Sequence, residues 1–132
     1  MTPVPFYHAL VRPNLLTESQ RQRFATDVVD VHCDVTGAPR SFVHVLVTED
    51  HDQQLPEEQA AAVNGTIRSG RNADQKAEIA TRINVALATT ADVALDTVST
   101  TTRDINASHT MEGGVLLPEP GSQEEAAWIS SS

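Results

Sequence analysis

Two stretches of this chain place apolar residues at helical spacing, and each is entered by the same polar pattern. In the first, Phe24, Val28, Val31 and Val35 recur every three or four positions, with Arg21, Arg23, Asp27, Asp30 and Asp34 elsewhere around the barrel. One face is therefore apolar and the rest solvated, as expected of a surface helix. Thr17, with Gln20 three residues later, has the capping-box pattern, and Gly37 and Pro39 mark the end. In the second stretch Ile79, Ile83, Ala86 and Leu87 follow Asn72 and Gln75, the same cap pattern again.

Strand-like runs flank both helices. Residues 41–47 (SFVHVLV) read as the clearest strand, closed by the polar Thr48, Glu49 and Asp50. Residues 6–11 (FYHALV) are a second, with prolines before them that a sheet edge tolerates. Residues 60–67 are a weaker candidate because alanine is a poor β-former, whereas the Thr-rich 93–102 suits a pleat. A short strand is expected at 113–117, polar connections at 12–16, 51–58 and 104–112, and a tail over 119–132.

These elements fall into two copies. Thr17 and Asn72 stand 55 residues apart, and the same offset carries Gln20 to Gln75, Phe24 to Ile79, Val28 to Ile83 and Val43 to Val98. The order predicts an α+β domain over 1–132 made of two tandem β-α-β units, 5–48 and 60–103. Each crossover should be right-handed, and a pseudo-twofold would join the halves into one four-stranded mixed sheet with both helices on one face. A short C-terminal strand or hairpin follows. The opposite sheet face would be bare, yet 41–47 is apolar on both sides, so an oligomer is expected to cover it.

Composition narrows the function. The chain has 132 residues, enough for one domain with its own core, and its 39% apolar but 4% aromatic content implies a core of Val, Ile, Leu and Ala. A net charge of −9 argues against non-specific nucleic-acid binding, which needs a basic face. Cys33 is the single cysteine, so no intramolecular disulfide can form. No signal-peptide pattern or long apolar run appears, which predicts a soluble, cytoplasmic protein that does not enter membranes. His8, His44, His51 and His109 have no zinc-ligand spacing, so no metal site is expected.

Against this acidic background one turn is conspicuous. Residues 65–71 read GTIRSGR, placing Arg68 and Arg71 between a strand and the cap of the second helix. Guanidinium forks match carboxylate geometry, and the open N–H groups of a first helical turn add positive potential. Taken alone, the turn slightly favours the reading of two solvated surface arginines.

Three stretches, TDVVDVHCDVTGAPRSFVHV, TIRSGRNADQKAEIATR and MEGGVLLPEPG with Trp128 soon after, resemble the tautomerase superfamily (the tautomerase/MIF-like fold). Within it the resemblance is to the cis-3-chloroacrylic acid dehalogenase group, and it spans nearly the whole chain. It implies a homotrimer, no cofactor and a small carboxylic-acid substrate. Arg68 and Arg71 then correspond to the carboxylate clamp, His32 to a substrate-binding histidine and Glu112 to the residue that positions or activates water. The bland readings are a histidine complementing a helix C-terminus and a solvated turn carboxylate.

Two departures stand beside the matches. The family's base is an N-terminal proline, whereas Pro3 and Pro5 are internal as written; loss of Met1 would leave a primary amine on Thr2. An internal proline nitrogen is an amide and is not basic. A tyrosine expected eleven residues before Glu112 is replaced by Thr101. The readings are therefore a tautomerase acting on 2-keto/enol or unsaturated acids, a non-catalytic carboxylate binder, or a hydrolytic dehalogenase of 3-haloacrylate-type acids.

Overall fold

The computed structural model describes residues 4–68, 70–105, 111–112 and 115–116. Its elements are β1 (Phe6–Val11), α1 (Glu18–Thr36), β2 (His44–Glu49), β3 (Ala61–Arg68), α2 (Ala73–Ala91) and β4 (Val98–Ile105), then β5 (Met111–Glu112) and β6 (Val115–Leu116). The sheet order is β2-β1-β3-β4; β1 runs parallel to β2, antiparallel to β3, and β3 runs parallel to β4. β5 and β6 pair antiparallel as a C-terminal hairpin. This is the expected α+β architecture of two β-α-β units.

Both helices start as their sequences require. The Thr17 hydroxyl accepts from Gln20 N–H while the Gln20 side chain accepts from Thr17 N–H, and Asn72 and Gln75 repeat the exchange. Each box satisfies two N–H groups that a helix start otherwise leaves open. The ends match as well: Gly37 and Asp92, one repeat apart, both close their helices in the left-handed conformation, at φ 75° and 56°. Gly37 takes that conformation without steric cost, and Asp is among the few other residues that do so readily.

Phe24, Val28 and Val31 of α1 and Ile79, Ile83 and Leu87 of α2 meet the inward residues of the sheet, Tyr7, Ala9, Val11, Ala61, Val63 and Ile67, in one core. Burying such aliphatic side chains contributes about 1.5–3 kcal/mol each against chain entropy. The alanines of β3 are compatible with a strand because Ala61 lies fully buried under the helices, where a small residue lets helix and sheet approach. β1 and β3 are one residue out of step with the repeat. Positions 7, 9 and 11 face inward in the first copy, and 61, 63, 65 and 67 in the second.

Three sequence expectations need correction. The strand placed at 41–47 begins only at His44, because Arg40–Phe42 is a 3-10 turn in which Phe42 and Val43 donate back to Pro39 and Arg40. The strand placed at 93–102 likewise begins at Val98, after the 3-10 turn Leu95–Thr97, and runs on to Ile105 because β3 offers partners as far as Arg68. The short strand at 113–117 is Val115–Leu116, paired with Met111–Glu112. Pro3 and the tail over 119–132 lie outside the described residues.

On the outward face, Phe6, Leu10 and Leu46 are apolar, and Leu46 is 48% exposed. His8 Nε2 pairs with Thr48 Oγ1 at 2.7 Å, and Thr101 donates to Asn64 at 2.6 Å. Among the described residues no helix is long and apolar enough to cross a membrane.

Candidate active site

The first copy contributes Tyr7 and His32. Tyr7 points inward from β1, directly opposite Gly65 of β3. A Cβ at position 65 would stand 2.5 Å from Tyr7 Cε1 and 2.8 Å from Cδ1, so the ring occupies the space a side chain would need. Gly65→Ala must displace the ring, and the overpacking is expected to cost about 1–3 kcal/mol. Chemical denaturation of the purified variant checks this. Unchanged stability would mean that the ring moves freely.

The Tyr7 hydroxyl lies 2.7 Å from His32 Nδ1, with the rings edge to face, centroids 5.6 Å apart. His32 lies on α1 four residues after Val28, on the inward stripe, and is 2% exposed. Burial, then the guanidinium charges of Arg71 and Arg68, hold its pKa down to about 4. Burial pushes the Tyr7 phenol well up, partly opposed by Arg71. Both groups are thus neutral near pH 7 and both sense Arg71.

This depression has a stability consequence with a definite sign. The unfolded chain takes a proton on His32 below about pH 6.5, while the folded chain resists until about pH 4. The contribution is fully present above pH 6.5 and is lost as pH falls toward 4, by about 3 kcal/mol. Urea unfolding at pH 7 and 4.5 should therefore show a larger loss for the wild type than for His32→Gln. Equal losses would place the proton on His32 in the folded state.

The second copy contributes the arginines. Arg68 ends β3 and is 4% exposed; Gly70 turns the chain at φ 101°, a conformation suited to glycine; Arg71 follows, half-buried, immediately before the Asn72 cap. Both arginines have interacting partners within the chain. Pro5 is buried immediately before β1, one residue ahead of Phe6, whose partner in β3 is Thr66. Its carbonyl accepts from His44 N–H at 3.1 Å.

The fold thus brings Arg68, Arg71 and His32 together and adds Tyr7, with Pro5 close along the strand. Glu112 lies in the hairpin strand β5, and its side chain is outside the described atoms. Thr101 lies on the outward face, hydrogen-bonded to Asn64, and does not join the His32 cluster. Tyr7 was not singled out in the sequence. The available signals were that it is the chain's single tyrosine and that a glycine lies inside the weak strand region opposite. Among the described residues no group of three His, Cys, Asp or Glu could hold a metal ion.

At the other end of β1 a cleft of about 520 Å³ is lined by Arg12, Asp50, His51, Leu55 and Glu57. Its charged groups serve the loop. Asp50 accepts from the backbone of Gln54 and Leu55, which lowers its pKa, and Arg12 donates to the carbonyls of Pro56 and Glu57.

Residues 4–132 match the family model Tautomerase_3, described as "Putative oxalocrotonate tautomerase enzyme". The chain belongs to this tautomerase family. The chain is also similar to the crystal structure of N1, a member of the cis-3-chloroacrylic acid dehalogenase family. That match has 27% identity and a TM-score of 0.82, covering 97% of this chain and 92% of the other. The native Ps01740 structure is 31% identical over 82% of this chain and 100% of its own, at a TM-score of 0.74. A fused 4-OT described as a wild-type asymmetric trimer shares the fold at 18% identity, TM-score 0.76, covering 85% and 95%. Curated proteins contain no match.

Proposed function

We propose that this protein is a cofactor-independent tautomerase acting on small 2-keto/enol or unsaturated carboxylic acids. Arg68 and Arg71 hold the substrate carboxylate, His32 donates to the adjacent oxygen, and Pro5, once its nitrogen is a free amine, moves the proton at the neighbouring carbon. The observation that carries this reading is convergence: a buried neutral imidazole lies within the field of two guanidiniums supplied by the other half of the fold. Positive charge and burial lower the pKa of an amine placed there, which makes a neutral base available near pH 7. Pro5 is favoured over Pro3 because the family match begins at residue 4, directly before it.

Glu112 would position or activate water in a hydrating or dehalogenating variant of this chemistry. The likeness to a dehalogenase-family structure supports that variant, and Thr101 in place of a phenol weighs against it. A second reading, a non-catalytic binder of small carboxylates, is favoured by Val4, which is joined to the Pro5 nitrogen and is 1% exposed. The apolar outward face supports a homotrimer, as does the His44 Nε2 atom, buried there without a hydrogen-bond partner among the described residues. We place the protein in the cytoplasm.

A phenylenolpyruvate ketonisation assay, paired with intact-mass identification of the first residue, tests the enzymatic reading. Turnover by a chain with a free Pro5 supports it. A free Pro5 with no turnover, but with a bound ketoacid in calorimetry, favours the binder instead.

A further inference from the structure

We infer that Tyr7 is a positioning residue that holds His32 in the tautomer carrying its proton on Nε2, so that the imidazole offers the substrate one hydrogen-bond donor. The argument is one of counting. A buried phenol O–H needs an acceptor, and the partner of the Tyr7 oxygen is His32 Nδ1 at 2.7 Å. If the phenol donates, Nδ1 accepts and must be bare. A neutral ring has one N–H, which is then on Nε2. The reverse arrangement, Nδ1–H donating to the phenol oxygen, would leave the phenol proton in need of a second acceptor. Among the described residues none is within reach of it.

The surroundings keep the count valid. Arg68 and Arg71 oppose a second proton on the ring, and burial keeps the phenol protonated. Cys33, the other titratable group near Tyr7, is itself held protonated by burial. Gly65 gives the phenol ring its position, and the edge-to-face contact with His32 sets the angle between the rings. An imidazole fixed this way suits an oxygen that gains negative charge, such as the keto oxygen beside a carboxylate as it becomes an enolate. The substrate preference rests on the function proposed above; the tautomer does not.

Long-range ¹H–¹⁵N spectra of the full chain test the tautomer directly. The expected spectrum shows a protonated Nε2 and a bare Nδ1 for His32, unchanged between pH 5.5 and 8. In Tyr7→Phe, which keeps the ring against Gly65, both tautomers should appear. A protonated Nδ1 in the wild type, or a Tyr7→Phe spectrum identical to it, overturns the inference. In the ketonisation assay, Tyr7→Phe should lower kcat about tenfold with little change in KM. His32→Gln, whose amide N–H can stand near Nε2, should retain more activity than His32→Asn, whose N–H mimics Nδ1. The opposite ranking counts against the inference. The expected spectra without turnover of any ketoacid would leave the tautomer assigned and remove the proposed function.

Discussion

Arg71→Ala is expected to lower kcat/KM for a 2-keto or enol acid by about a hundredfold while leaving the fold intact. A charge-assisted hydrogen bond to a carboxylate in a partly buried site is worth about 2–3 kcal/mol, and each 1.4 kcal/mol is tenfold in rate. Arg71 is the better test of the pair because it is half-buried, whereas Arg68 is 4% exposed and its truncation also leaves a gap at the end of β3. Arg71→Lys should recover part of the binding but not all, since an ammonium supplies charge without the two-pronged fork. Steady-state kinetics and calorimetry with a ketoacid give the answer. Wild-type affinity in Arg71→Ala would remove the carboxylate clamp from the proposal.

A chain whose first residue is Pro5 is expected to exceed the chain that retains Val4 in proton-transfer rate by at least about a hundredfold, the contribution typical of a positioned general base. The difference is chemical. Joined to Val4, the Pro5 nitrogen is an amide whose lone pair is delocalised; released, it becomes a secondary amine, and in the proposed site the two guanidiniums favour its neutral form. Expression from a methionine placed before Pro5, with removal of that methionine confirmed by mass, produces the comparison. Equal rates in the two chains would exclude Pro5 as the base and shift attention to groups that the attached residues do not block.

The helices were legible in the sequence because their signals are local. Thr17 with Gln20 and Asn72 with Gln75 mark both starts, and the caps form as the pattern implies. Strand starts were less legible. The 3-10 turns at Arg40–Phe42 and Leu95–Thr97 are written in β-compatible residues, so propensity alone runs the strands too early. The arginine pair could be read because its residues stand three apart in the chain. Tyr7 could not, because its environment depends on Gly65 across the sheet and His32 on the far helix, a register that no local pattern encodes.

The one-residue difference in phase between β1 and β3 bears on stoichiometry. Two like halves suggest two like sites, related by the internal symmetry of the fold. In the helical part the offset of 55 holds, and it places Leu16 where the second half has Arg71 and Leu87 where the first has His32. Leu16 and Leu87 are both buried. The mates of Arg71 and His32 are therefore buried hydrocarbon. Symmetry governs the scaffold and is broken at the chemistry, so whatever the arginine turn holds is held once per chain.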